Sequence, residues 1–391
     1  MTERVYLDWN ATAPLHPAAR HAMTSALDVC GNASSVHTEG RAARRIVEDA
    51  REKVARLVGA EPRNVVFTSG GTEANILALS PGIGAGRAQA PRDALLVSAI
   101  EHPSVLSGGR FRKEAVERIP VSPDGRLDLA ALKDLLGALH KAGRERPLVS
   151  VMAANNETGV VQPVAEAARV VHEAGGLLHV DAIQTAGRIP CDINALGADL
   201  VTLSAHKMGG PKGAGALVRR ADLHIEPLVT GGGQERGQRA GTENVPAVAG
   251  FGAAAALASE RLAADTARMR DLRDRLEAGI LAATSAAIVF GAGVERLPNT
   301  TLVALAGLKA ETAVIAFDLD GIAVSSGAAC SSGKVQPSHV LAAMGVTPDL
   351  ARAAVRLSLG ATTTEAEVDR FIGAWIKVSG ALLNRSQGIA A

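Results

Sequence analysis

The chain has 391 residues, 47% of them apolar, which is enough for two or three domains with cores of their own. Its 41 basic and 40 acidic side chains leave a net charge of +1, which argues against nucleic acid or an anionic membrane held by bulk charge. With aromatics at 2%, Leu, Val, Ile and Ala must build the interior, and a flat ligand finds few rings to stack on.

The opening MTERVYLDWN is charged from the start and has no apolar h-region, and no run of about 18 apolar residues follows. Neither a signal peptide nor a membrane span is expected. Cys30, Cys191 and Cys330 are far apart and form no CxxC, which argues against a metal site and suits a reducing, cytoplasmic setting. Between 60 and 220, short apolar runs alternate with helix-period segments. Strands are expected at 64–70, 94–102, 147–155, 176–182 and 199–206, with a further candidate at 213–220. Helices are expected at 72–79, 127–143 and 164–175, and 80–93 reads as an exposed loop. This rhythm predicts an α/β fold, a doubly wound, mostly parallel sheet with helices on both faces. A long Ala- and Leu-rich helix over 245–283 is placed to bridge two domains. Beyond it, strands at 301–307, 322–327 and 353–360 alternate with helices at 311–319, 337–345 and 364–383, a smaller α+β C-terminal domain. The division is drawn as a large domain over 14–260 and a small one over 261–391, with residues 1–13 packing on the latter.

Several strand ends carry chemistry. TSGGTEAN (68–75) ends a strand, supplies two glycines and opens a helix near Thr72, where unpaired N–H groups would cradle an anion. Taken alone it is a βα turn with a Thr cap. Asp181 ends the strand in LLHVDAIQ, and Lys207 directly follows the apolar strand of LSAHKMGGPKG, behind Ser204 and His206. A carboxylate and an amine drawn out of water need partners; a desolvated lysine becomes a nucleophile. His179 reads as a packed histidine and Lys212 as solvated. An anion cradle, an acid and a lysine at the C-terminal ends of neighbouring strands are what pyridoxal phosphate requires: a phosphate site, a pyridinium partner and a Schiff-base lysine. His102 in EHPS is a candidate plate for the ring, or a helix cap. Asn156 in NNETG is a candidate amide for the ring or substrate, or a turn residue. GGGQERGQRAGTEN (231–244), with Thr242 near its end, reads as a solvated basic loop. Arg356, inside the apolar strand VRLSLG, is a candidate for gripping a carboxylate or for a structural ion pair.

SSGAACSSGK (325–334) sets Cys330 among small residues that give it little to pack against. Together with YLDWNATAPLHP, GNASSVHTEG, NNETGVVQP and the motifs above, it makes the chain resemble, nearly end to end, the pyridoxal-phosphate-dependent cysteine desulfurases of the aminotransferase class V superfamily. The cysteine segment is similar to that of the long-loop group, which serves iron–sulfur assembly and nitrogen fixation. The resemblance implies PLP fold type I and the conversion of L-cysteine to L-alanine, with the sulfur left as a Cys330 persulfide. Lys207 is then the Schiff-base lysine, Asp181 the pyridinium partner and Gln184 the contact of the phenolic oxygen. Gly71, Thr72, Ser204 and His206 hold the phosphate, and Thr242 reaches the phosphate of the other subunit of a homodimer. His102 stacks on the ring, Asn156 and Arg356 anchor the substrate carboxylate, and an iron–sulfur scaffold or other acceptor protein takes the sulfur. The alternatives are a selenocysteine lyase or another class V enzyme. No metal is implied. The small residues around Cys330 suit a carrier that travels between substrate and acceptor.

Overall fold

The structure, a computed structural model, describes residues 4–85, 90–327 and 338–389. Its main sheet has seven strands, here β1 (Val65–Thr68), β2 (Ala94–Ser98), β3 (Val116–Ile119), β4 (Pro147–Met152), β5 (Leu177–Asp181), β6 (Leu200–Ser204) and β7 (Gly215–Arg219). They lie in the order β1-β7-β6-β5-β4-β2-β3, and β7 alone runs against the rest. β1, β2, β4, β5 and β6 are buried at every residue, as strands covered on both faces must be. Alternate side chains enter opposite cores: Leu96 packs with Val47, Val54 and Phe251, whereas Leu95 and Val97 pack with Leu77 and Leu79. The sheet is therefore doubly wound and mostly parallel, as the alternating pattern predicts. The expected candidate at 213–220 is β7. The edge strand β3 is not in the sequence reading, because its half-buried Glu117 and exposed Arg118 interrupt the apolar run.

Helices Pro17–Leu27 and Thr38–Leu57 pack on the long helix Val245–Ala283, which Asn244 caps by accepting from Ala247 N at 3.1 Å. The first part of that helix buries Val248, Phe251 and Ala255 against the main sheet. Its last part buries Leu272, Leu276 and Ile280 in a separate core with Phe317, Phe371 and Trp375. That second core sits on an antiparallel sheet of β8 (Ile288–Val289), β9 (Thr300–Ala304), β10 (Ser325–Ser326) and β11 (Ala354–Ser358), in the order β8-β9-β11-β10. The N-terminal Val5–Tyr6 pairs with Ile322–Ala323, and Val5 and Leu7 join the same core.

Two expectations need correcting. The stretch 80–93 is not simply exposed: Ser80, Ile83 and Arg92 are buried, and Gly84–Ala85 pairs with Leu223–His224. The strand expected over 94–102 stops at Ser98, which frees the chain to turn and place His102 at the start of helix Pro103–Leu106. Among the described residues no helix is long and apolar enough to cross a membrane.

Candidate active site

A cavity of about 270 Å³ opens at the C-terminal ends of the parallel strands, where open α/β sheets place their ligands. The turn after β1 brings Gly71 and Thr72 to its wall, and the turn after β2 brings His102. Asn156 follows β4, while Asp181 and Gln184 come from the end of β5. β6 and the 3-10 turn Ala205–Lys207 supply Ser204, His206 and Lys207, and β11 supplies Arg356.

Helix Gly71–Ala78 begins here with no side-chain cap, so its first N–H groups face the cavity end unsatisfied by side chains. A Cβ at Gly71 would lie 2.3 Å from Ile183 Cδ1, so the end of that side chain would have to move aside. The strand-to-helix turn thus brings backbone close to the wall and leaves donors for an anion.

Asp181 is almost fully buried. Its Oδ1 accepts from Ile183 N at 3.0 Å and its Oδ2 from Asn75 Nδ2 at 2.8 Å. Burial raises its proton affinity, against the pull of these two bonds and of the charges on His102 and Lys207. Asn75 Nδ2 also donates to Ser104 Oγ at 2.9 Å, and Ser104 meets His102 Nδ1 at 2.8 Å. His102 is pushed below its usual value by burial, against the pull of the Asp181 charge, with Lys207 and His339 adding to the push. It also accepts from Ser104 N at 3.1 Å, so it caps a short helix, one of the two readings the sequence offers, and it also lines the cavity. Next to it, Glu101 is fully buried and lifted well above the carboxylate range by burial and by the Asp181 charge.

Lys207 Nζ donates to Asn10 O at 2.5 Å and Ala11 O at 2.8 Å. His206 meets Thr12 Oγ1 at 3.1 Å and is pushed down to about 4 by burial and by Lys207, which leaves it neutral at neutral pH. Arg356, 2% exposed, donates to Asn156 O at 3.0 Å and to Asp8 Oδ1 at 2.7 Å, while its buried Nε meets no partner among the described residues. The ion pair that the sequence offered as one alternative is therefore real, and a donor remains over for another acceptor.

One expected residue among those described is not in this cavity. Thr242 is exposed on the loop that precedes the long helix. Cys330 lies outside the described residues, as does the expectation that its segment travels. The flanks of that segment are described. On one side Ser325 pairs in register with Arg356; on the other, Ser338 Oγ donates to Glu157 Oε2 at 2.5 Å, beside Asn156. Of the remaining cysteines, Cys30 is exposed and Cys191 is buried, its thiol pushed up to about 11 by burial. His179 packs between Ser150 Oγ at 2.8 Å and Thr202 Oγ1 at 3.2 Å, and Lys212 is exposed. The sequence reading misses Asn10 and Asn75, although each lies inside a motif it quotes. Their signal was three-dimensional: Asn75 sits one helical turn after Thr72, on the face turned to Asp181.

The aminotransferase class-V family model matches residues 5–371. A cysteine desulfurase of Cereibacter sphaeroides is 46% identical over 95% of this chain and 94% of its own length. An IscS-like cysteine desulfurase of Mycobacterium tuberculosis is 42% identical over 93% of each. Among solved structures, a NifS-like protein from Rickettsia africae superimposes with a TM-score of 0.85 at 34% identity, covering 97% of this chain and 100% of that one.

Proposed function

We infer that this chain, which belongs to the aminotransferase class-V family, is a cysteine desulfurase dependent on pyridoxal phosphate. The observation that supports it most is the convergence on one cavity of an open helix start, a buried acid and a lysine. This donor set fits the cofactor at each end. Gly71 and Thr72, with Ser204 and His206, would hold the phosphate. Asp181, buried and in no ion pair among the described residues, would take the protonated pyridinium nitrogen. Gln184 is assigned to the phenolic oxygen, His102 to the ring face and Lys207 Nζ to the aldehyde carbon. Thr242, exposed and outside the cavity of its own chain, is assigned to the phosphate of the other subunit in a homodimer.

When bound, the cofactor supplies an electron sink for the carbanion at the substrate Cα. The chain supplies the rest. Arg356, with its spare Nε, and Asn156 hold the carboxylate of L-cysteine. Lys207 Nζ carries the Cα proton, and His102 assists from the neighbouring wall. The Cys330 thiolate attacks the substrate sulfur, so that the substrate's Cβ–S bond breaks as the new S–S bond forms. L-Alanine leaves, and the sulfur remains as a Cys330 persulfide for an iron–sulfur scaffold or another acceptor protein. One flank of the segment that carries Cys330 pairs with Arg356 and the other bonds Glu157, the residue after Asn156, which supports its access to the substrate.

The test uses purified protein loaded with pyridoxal phosphate and given L-cysteine. In a single turnover, wild type should form alanine and an alkylatable persulfide in equal amounts. Cys330→Ala should keep the cofactor's visible absorbance and lose both products by about 100-fold or more. Alanine formed by that variant at the wild-type rate would overturn the assignment.

A further inference from the structure

Arg188, in the turn that follows Gln184, is 6% exposed and has no carboxylate partner among the described residues. A buried cation left without an anion is costly. Burial and the charge of Arg356 push it down to about 9, so it remains a cation at neutral pH. Its acceptors are all oxygens of the site's framework: Gln184 O at 2.8 Å, Gln184 Oε1, Lys207 O at 3.2 Å and Trp9 O at 3.4 Å. Its own carbonyl is fixed by Thr266 Oγ1 at 2.7 Å.

A guanidinium only donates. The amide of Gln184 must therefore turn Oε1 to Arg188 and its NH2 the other way, where Nε2 donates to Asn10 O at 3.1 Å. The same carbonyl accepts from Lys207 Nζ at 2.5 Å. Two donors thus converge on one oxygen, side by side on the cavity wall. In pyridoxal the phenolic oxygen sits on the ring carbon adjacent to the one bearing the aldehyde. A ligand whose aldehyde meets Lys207 brings its phenolic oxygen toward the second N–H of Gln184. A flipped amide would present an oxygen there instead.

We propose that Arg188 is a positioning residue that locks the Gln184 amide with its NH2 toward Lys207, and thereby keeps the cofactor's phenolic oxygen ionised. The proposal rests on the pyridoxal phosphate reading. Asp181, His102, His206, Lys207 and Arg356 are the other charged or titratable groups on the wall, and the variants below leave them in place.

The readout is the pH midpoint of the bound cofactor's visible absorbance, without substrate. A donor to the phenolate favours the ionised form, so its loss raises the midpoint. Gln184→Leu should raise it by on the order of one pH unit, Arg188→Met by most of that, and the double variant no further than Gln184→Leu. A wild-type midpoint in Arg188→Met, or shifts that add in the double variant, overturns the proposal. Should Arg188→Met not fold, the cycle is run with Arg188→Lys. A shift that vanishes in the Gln184→Leu background supports the lock; the same shift in both backgrounds, or none, refutes it. Absence of any cofactor absorbance in the wild type would instead overturn the cofactor reading itself.

Discussion

Asn75 uses its whole side chain. Its NH2 donates to Asp181 Oδ2 at 2.8 Å and Ser104 Oγ at 2.9 Å, and its Oδ1 accepts from Thr202 Oγ1 at 2.6 Å. Because Ser104 Oγ accepts from Asn75, its own hydrogen goes to His102 Nδ1, which places the imidazole proton of neutral His102 on Nε2. In the same way Thr202 donates to Asn75 and accepts from His179 Nε2, and burial pushes His179 down to about 3, so that it stays neutral. One amide therefore sets the protonation pattern beneath the cavity. Asn75→Leu should leave Asp181 Oδ2 without its donor, at a cost of about 1–3 kcal/mol. The expected result is pyridoxal phosphate held about 10- to 100-fold more weakly, read by titrating cofactor into the stripped protein. Unchanged cofactor affinity would show that the Asn75 bond carries no weight at the site.

The loop 231–244 shows what an element can hide. Its sequence reads as solvated, yet Glu235 is buried and forms a two-pronged pair with Arg51 at 2.7 and 2.9 Å, while Phe67 N donates to Glu235 Oε2 at 2.9 Å. Glu235 and Arg236 lie in the left-handed region at φ 48° and 57°, each costing roughly 1–2 kcal/mol for a side-chain-bearing residue. The Arg51 pair holds that turn in place. Further along, Arg239 bonds Glu73 at 2.9 Å and so ties the loop to the helix that opens at Gly71. Arg51→Leu leaves the Glu235 carboxylate buried and unpaired, and should cost about 3–5 kcal/mol in urea unfolding. A loss below about 1 kcal/mol would mean the turn stands without the pair. Local pattern could not announce this contact, because Arg51 and Glu235 are 184 residues apart. The central strands were legible because each is a short apolar run. The helices Pro17–Leu27 and Thr38–Leu57 went unassigned because the buried apolar side chains of the second are only Ala and Val, such as Ala43, Val47, Ala50 and Val54, set among many charges.

At the scale of the whole molecule, the site lies on a seam between the main sheet and the smaller one. Asp8 reaches Arg356, Asn10 Nδ2 reaches Thr300 Oγ1 at 2.9 Å, and Leu297 N donates to Gly159 O at 2.7 Å. The lysine, the acid and the helix start were legible because each ends an apolar strand of the main sheet. Asn10 and Arg188 were not, because their value lies in contacts across 197 and 179 residues of chain or in a second layer behind the wall. On this seam Glu157 is fully buried. Burial pushes it up to about 7, against the hydrogen bond from Ser338 and the charge of Arg356. Its folded value lies above the ordinary 4.5. Below that ordinary value both folded and unfolded chains hold the proton. As pH rises from 4.5 toward 7 the unfolded chain releases it first, so this group's contribution to stability falls, and the loss is complete above about 7. Glu157→Gln still accepts from Ser338 and cannot ionise. The stability of Glu157→Gln relative to wild type should therefore rise between pH 5 and pH 8, with most of the change below about 7, when both are unfolded in urea. Taking the difference removes the titration of groups common to both chains. Parallel stability curves for the two chains over that range would show that Glu157 keeps its charge inside the fold, and that the seam is held by its other bonds alone.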